Sequence, residues 1–429
     1  MRIQNPHIQP GQKHVVIIGA GFAGLSAAKA LAHRSPVQVT LFDQRNHHLF
    51  QPLLYQVATA ALNPADIAVP IRSEFAKVRN VAVHLGRVDT VNLREQWVGG
   101  GKDVRVGFDY LLVACGAQHS YFGRDEWEEF APGLKTLEQA TEIRRRILLA
   151  FELAENEFDP ERQEMLLTFV VVGGGPTGVE LAGAIADISR TVLVRDFKRI
   201  DPARAKVLLL EAGPRILPQF KEQLSEHSVR DLTQLGVEVR TSTLVTKIDG
   251  QGVDAARRRI PSRSVFWAAG VQAGGLSRTL GVELDHTGRI VVGPDLAIPG
   301  HPNAFVAGDI AHLELGDGKL LPGLAPAAIQ TGQLAAHNIL ASIASQPRSP
   351  FRYVDKGQMA TIGKHKAVAQ VGRFAFTGYI AWLTWLFVHI VYLIGFRNRV
   401  AVLAQWAWSY LFSKRGARLI TQKEWKLNP

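Results

Sequence analysis

The chain has 429 residues, enough for two or three domains with proper cores, and its 47% hydrophobic and 20% charged content is that of a globular protein with surplus apolar surface. Its single cysteine, Cys115, excludes an internal disulfide framework, a CxxC redox pair and cysteine-rich zinc or iron–sulfur sites; in "YLLVACGA" it reads as a small buried residue. Ten of the eleven net positive charges fall in residues 356–429, where eleven Lys/Arg accompany one acid, Glu424, so the basicity belongs to a tail and not to a nucleic-acid-binding body.

The N-terminal "MRIQNPHIQPGQKH" lacks the apolar core of a secretion signal, which implies a cytoplasmic body. It leads into "HVVIIGAGFAG" (14–24), an apolar strand running into Gly19-x-Gly21-x-x-Gly24, followed by the small-residue helix "LSAAKALAHR". The next strand, "VQVTLFD", ends in Asp43. Gly19 permits the tight turn, Gly21 lets backbone approach a pyrophosphate, and Gly24 lets helix pack on strand; the helix N-terminus favours phosphate and Asp43 can accept from ribose hydroxyls. Ala20, Phe22, Ala23 and Gln44 belong to the same cofactor-lining stretch.

Two strands that end in a small residue and glycine, "YLLVACGAQ" (110–118, with Ala114 and Gly116) and "VFWAAGVQA" (265–273, with Ala269 and Gly270), suit a chain crossing between domains beside a cofactor. Between them a charged connector, "KTLEQATEIRRRILLAFELAENEFD", precedes a second strand–turn–helix, "LTFVVVGGGPTGVELAGAIAD", with Gly173, Gly175 and Gly178. Its second strand, "AKVLLLEAG", carries the terminal acid Glu211 after an insertion, "VRDFKRIDPAR". An acid there suits a free ribose 2′-hydroxyl and repels a 2′-phosphate, although Arg215 is near. Two such loops imply two dinucleotides, one flavin and one nicotinamide. "HPNAFVAGDIAHL" (301–313) then resembles the second flavin motif of two-dinucleotide flavoproteins, in which the acid, here Asp309 after Gly308, binds the ribityl chain of FAD; an ordinary helix N-cap is the alternative.

The expected fold is therefore α/β with two Rossmann-like dinucleotide-binding domains, the FAD domain (14–122 and 271–355) split by an inserted NADH domain (123–270), plus a C-terminal helical membrane-association segment (356–429). Twenty-three uncharged residues separate Arg373 from Arg397. As one helix they would extend about 35 Å, enough to cross a hydrocarbon layer of about 30 Å, so a single span near 379–396 stays open. Trp382, Trp385, His389 and Tyr392 recur at helical spacing, and basic residues surround them, which favours a helix lying in the headgroup region; a dimer core is the alternative. No charged residues sit inside the run to suggest proton pumping.

Three segments, "FDQRNHHLFQPLLYQVATAAL" (42–62), "LPGLAPAAIQTGQLAAHNI" (321–339) and "YIAWLTWLFVHIVYLIGFRNRV" (379–400), resemble the type II NADH:quinone oxidoreductases. The resemblance implies FAD and NADH as cofactors, hydride transfer from NADH to flavin, then reduction of a membrane quinone without proton pumping. It implies a monotopic anchor, which, with the local basic charge and the missing secretion signal, gives a protein on the cytoplasmic face of the cell membrane in contact with anionic lipid; a homodimer is the alternative use of the aromatic stripe. Glu180 is then expected near nicotinamide and flavin, the alternative being an acid in a helix's first turn. Gln330 is expected beside flavin and quinone, and Lys364 near the quinone, the alternative there being a solvated lysine. Tyr55, Val88 and Ala325 are expected to line the FAD. Pro326 and Thr331 replace glutamines common in the family, which leaves the fine positioning of quinone open. His47–His48 has no partner at ligand spacing, so no metal is expected. Disulfide reductases and sulfide:quinone oxidoreductases need cysteines that this chain lacks. The competing functions are a soluble NAD(P)H-dependent reductase of a carrier or oxygen, and a non-catalytic NADH-sensing flavoprotein.

Overall fold

Strands of near-continuous apolar sequence need cover on both faces, and the chain builds two parallel sheets of that kind. The computed structural model describes residues 11–101, 104–316, 318–412 and 416–420. The extreme N-terminal segment and much of the basic run expected after residue 412 lie outside the described residues. The chain divides into two units. The first comprises the described parts of Met1–Leu49, Val69–Gln118 and Val271–Lys356; the second those of Phe50–Ala68, His119–Gly270 and Gly357–Pro429.

The first unit opens with β1 (Lys13–Ile18), α1 (Phe22–Leu31), β2 (Val37–Asp43), β3 (Val81–Leu85) and β4 (Tyr110–Val113). The second contributes α2 (Leu54–Ala58), β5 (Thr168–Val172), α3 (Pro176–Asp187), β6 (Lys206–Leu210), β7 (Val237–Arg240) and β8 (Ser264–Trp267). The first resumes with β9 (Ala297–Ile298), β10 (His301–Val306) and α4 (Ala325–Ile343). The second closes with β11 (Gln358–Thr361), β12 (Ala367–Val371), β13 (Phe374–Thr377), α5 (Gly378–Tyr392) and α6 (Phe396–Phe412).

The first unit's large sheet runs β9-β10-β4-β1-β2-β3, parallel except for β9. Val15 pairs with Val39 on one side and Tyr110 on the other, so β1 is where the strand order reverses, and ligands bind beyond the carboxyl ends of strands at such a point. The second unit repeats the plan in four parallel strands, β7-β6-β5-β8, with β5 in the position of β1. Small residues let helices sit close: a Cβ on Gly332 of α4 would lie 2.1 Å from the Ala23 carbonyl oxygen of α1.

The tail differs from expectation in three ways. The uncharged run is not one helix. α5 has 15 residues and ends at Tyr392; the chain turns through Gly395 at φ +87°, and α6 begins at Phe396. At about 22 Å, α5 falls short of a bilayer core, and no helix among the described residues is long and apolar enough to cross a membrane. Secondly, Trp382, Trp385 and His389 face inward: all three are buried, and Trp382 packs on Ala367 and Ala369 of β12. The opposite face is exposed and apolar, with Ile380 at 67%, Phe387 at 71% and, on α6, Phe396 at 83% accessibility. Thirdly, Arg399 is not a free surface charge. Its guanidinium donates to the Leu393 and Val391 carbonyls at 2.8 and 2.9 Å, satisfying the open end of α5.

Candidate active site

Each sheet ends in a cradle of the same geometry. Gly19 has φ +99° and a Cβ there would lie 2.5 Å from the Ala114 carbonyl oxygen; Gly173 has φ +108° and a Cβ would lie 2.7 Å from Ala268. A Cβ on Gly24 would meet the Gly19 oxygen at 1.8 Å, and one on Gly178 the Gly173 oxygen at 1.9 Å. By contrast, Gly21 and Gly175 face open space, with nothing within 4 Å of a Cβ. No side chain caps α1 or α3, whose N-termini start at these glycines. Open space in front of uncapped helical N–H groups suits a pyrophosphate, so both sets of residues fit the dinucleotides expected of them.

The two acids expected at a ribose are held by the cradles themselves. Asp43 accepts from the Ala20 and Arg45 N–H groups, both at 2.7 Å, and Glu211 from those of Gly174 and Gly213, both at 2.6 Å. Arg215 donates to the Phe220 and Pro218 carbonyls at 3.1 and 2.7 Å, so its guanidinium is engaged by its own loop. In the first unit Gln44 is exposed, while Ala20, Ala23, Val88 and Ala114 are buried and Phe22 meets His48 edge-on at 5.1 Å. Gly116 is left-handed at φ +68°. Cys115 is exposed, not buried as expected, and its Cα packs against the Gly19 turn. Gly308 (φ +76°) precedes the half-buried Asp309, and its N–H donates to the Thr331 hydroxyl at 3.1 Å. That is the task of Thr331 in this chain.

Gln330, on α4 five residues after Ala325, does not present a free amide. Its Nε2 donates to the Val354 carbonyl at 3.0 Å and its Oε1 accepts from the Val354 N–H at 2.9 Å. The side chain clamps the end of the first unit.

In the second unit, Ala269 is half-buried and Gly270 stands at φ +74°. Glu180 lies past the first turn of α3, which contains no acid, so a helix-dipole role is set aside. The residue is partly accessible, but its carboxyl is ringed by protein, and these surroundings push it up to about 8. The Thr361 N–H reaches its Oε1 at 3.4 Å, and the Trp385 indole lies close enough to favour the anion without making a hydrogen bond. Gly183 lets the Thr361–Gly363 segment approach α3: a Cβ there would be 3.2 Å from the Ile362 carbonyl carbon.

From Thr361 a chain of side-chain bonds continues. Its hydroxyl meets the Tyr55 hydroxyl at 2.9 Å; Gln56 Nε2 donates to Tyr55 at 3.0 Å; Trp406 Nε1 donates to Gln56 Oε1 at 2.8 Å. Tyr55, Gln56, Thr361, Lys364, Asp187 and Trp406 line an open recess. Tyr55, expected at the flavin, is thus in the second unit, on the recess wall with Lys364. Gln56, Thr361 and Trp406 were not singled out in the sequence, and Trp385 was read there only as part of a membrane-facing stripe. The only signal was the Ala-Gly-Ala run in α3, which marks a close approach.

The chain is similar to known proteins along nearly its whole length. The pyridine nucleotide-disulphide oxidoreductase family matches residues 13–332, and the NDH2 C-terminal domain matches residues 356–415. A type II NADH:quinone oxidoreductase of Mycobacterium tuberculosis is 46% identical over 98% of this chain and 93% of its own length. A second from the same organism is 44% identical over 97% and 91%. The structure of NDH2 from Plasmodium falciparum in complex with NADH superposes with a TM-score of 0.87, covering 95% of this chain and 99% of that one, at 18% identity, which speaks for the fold alone. The chain belongs to the type II NADH:quinone oxidoreductases, within the pyridine nucleotide-disulphide oxidoreductase family.

Proposed function

We propose that this chain oxidises NADH and reduces a membrane quinone, and that Glu180 and the recess beside it serve the quinone half of the reaction. The observation that carries the reading is a buried carboxyl, protonated near neutrality, one hydrogen bond from a recess walled by Tyr55, Gln56 and Lys364. FAD, when bound, would supply the two-electron chemistry that links NADH oxidation to quinone reduction. The residues around the β1 turn, from Gly19 to Gly24, with Asp43, Ala114, Gly116, Gly308 and Asp309, hold the FAD. Those around the β5 turn, Gly173, Gly175, Gly178 and Glu211, hold NADH.

A quinone that gains two electrons takes up two protons, and a carboxyl whose pKa lies near the working pH both gives and regains one readily. Glu180 is that group. Tyr55 offers a hydroxyl at the recess wall, and Trp406 fixes Gln56, which fixes Tyr55. Gln330 acts by holding residue 354 and not by touching quinone. Attachment is peripheral, through the exposed apolar faces of α5 and α6 on the cytoplasmic side, where basic residues of the tail meet anionic lipid.

Anaerobic stopped-flow tests the whole reading. NADH should bleach the flavin absorbance, and a short-chain quinone should restore it within the turnover time. Flavin that bleaches but is not reoxidised by quinone removes the second half of the reaction; flavin that does not bleach removes the first.

A further inference from the structure

The C-terminal helix α5 brings to Glu180 a group that neither the cradle nor the recess accounts for. Trp385 is 1% exposed, and its indole Nε1 is buried without a hydrogen-bond partner. An unpaired buried N–H is costly, and such groups persist where they serve a state other than the one at rest. The ring is held firmly. It stacks on His389 at 4.0 Å and 26°, meets Tyr55 at 6.3 Å and Trp406 at 5.7 Å, and its own carbonyl accepts from His389 Nδ1 at 2.7 Å. That bond fixes the His389 tautomer, and burial takes the imidazole down to about 4, so it stays neutral. The neighbouring carboxyl accepts the Thr361 N–H at a long 3.4 Å, and the Trp385 indole is the other group that favours its anion.

We propose that Trp385 is a positioning residue for Glu180: its indole N–H is the donor that receives the carboxylate once Glu180 has given up its proton. The inference rests on the proposed role of Glu180. An N–H that bonds only the anion favours ionisation, so it brings the carboxyl's pKa back toward neutrality against the desolvation that raises it. Other titratable groups bear less on this site. Tyr55 on α2 is engaged with Thr361 and Gln56; Lys364 and His365 follow β11; Asp187 lies two turns along α3. β5 presents none, Glu211 beyond β6 is tied to Gly174, Arg240 of β7 binds Glu238, and Asp231 of the helix Glu222–Gln234 is paired with Lys366.

The test uses full-length flavoprotein and the pH dependence of kcat/KM for a short-chain quinone. The wild type should show an ionisation near 8. Trp385→Phe keeps the stack and removes the donor, and should move that ionisation upward by about one pH unit. Trp385→His, which keeps a ring N–H, should bring it back toward the wild type. Glu180→Gln should abolish it, and adding Trp385→Phe to that variant should change the profile no further. A Trp385→Phe profile that superposes on the wild type overturns the inference, as does a shift that survives in the double variant. A Glu180→Gln enzyme that keeps the ionisation instead overturns the proposed role of Glu180. Should Trp385→Phe lose its FAD, infrared titration of the unaltered enzyme decides. One tryptophan N–H stretch, identified by ¹⁵N-indole labelling, should move to lower frequency as the Glu180 carboxylate band appears, and a carboxylate band that grows in with no N–H change overturns it.

Discussion

Glu211 is held by two short hydrogen bonds from the backbone of its own cradle, and those bonds give it a fixed position as well as a charge. A 2′-phosphate brought to that position would meet a carboxylate with no cation to offset it, because Arg215 is spent on the Phe220 and Pro218 carbonyls. A like-charge contact at 4 Å costs about 1 kcal/mol in water and about 4 kcal/mol near a protein surface. Replacing Glu211 with Gln should therefore narrow the preference for NADH over NADPH by at least about fivefold, mostly by improving NADPH. The kcat/KM for NADH should fall, since the amide nitrogen would face a backbone N–H. The ratio of the two kcat/KM values measures this, and an unchanged ratio would show that the preference is set elsewhere. Asp43 and Glu211 were legible as strand-end acids at the edge of each cradle, because strand–glycine–helix–strand spacing puts an acid at a known edge. Their bonds to the cradle backbone were not legible, since the direction of a backbone N–H is no property of the residue pattern. Gln330 illustrates the same gap: a glutamine in a family-like segment gave no sign that its amide would close on Val354.

At the scale of elements, the C-terminal helices show how far periodicity carries. The spacing of Trp382, Trp385 and His389 was read correctly as one helical face, but that face is the inner one. In a segment without charges no polar stripe marks the outside, so a helical wheel finds two faces and cannot rank them. Burial decided it. The three rings pack on β12, Tyr55 and Phe50, while Ile380, Leu383 and Phe387 are left outside. The break at Gly395 was equally hidden, because an isolated glycine inside an apolar run can be tolerated in a helix or can end one. A membrane surface is the chemistry that fits an outer face of this composition beside basic residues. Phe387→Glu should then weaken binding to anionic liposomes by about tenfold to a hundredfold, the range expected for losing one buried aromatic side chain. Turnover with a water-soluble quinone should stay near the wild-type rate, as Phe387 does not face the recess. Liposome flotation measures the first and steady-state kinetics the second. Unchanged flotation, together with a lower mass in sedimentation, would instead assign the face to a second copy of the chain.

For the whole molecule, the order of parts was legible because each cradle announces itself in eleven consecutive residues, whereas the Glu180 site draws on Tyr55, Thr361, Trp385 and Trp406, scattered over 350 residues. The two cradles make a strong prediction about independence. Gly21 and Gly175 have ordinary φ values and open space in front of them, so a side chain there obstructs a ligand and not the fold. Gly21→Val should yield folded protein that purifies colourless. Gly175→Val should yield yellow protein whose flavin NADH no longer bleaches, yet which dithionite reduces and quinone reoxidises. Gly24→Ala and Gly178→Ala serve as the contrast, since a methyl group would press on a backbone oxygen under 2 Å away; both should lower the melting temperature whichever dinucleotide is supplied. Absorbance spectra, circular dichroism and single-turnover reduction read all four variants. Gly175→Val that loses its flavin together with its NADH response would mean the second cradle also supports the first, and the assignment of one cofactor to each would have to be given up.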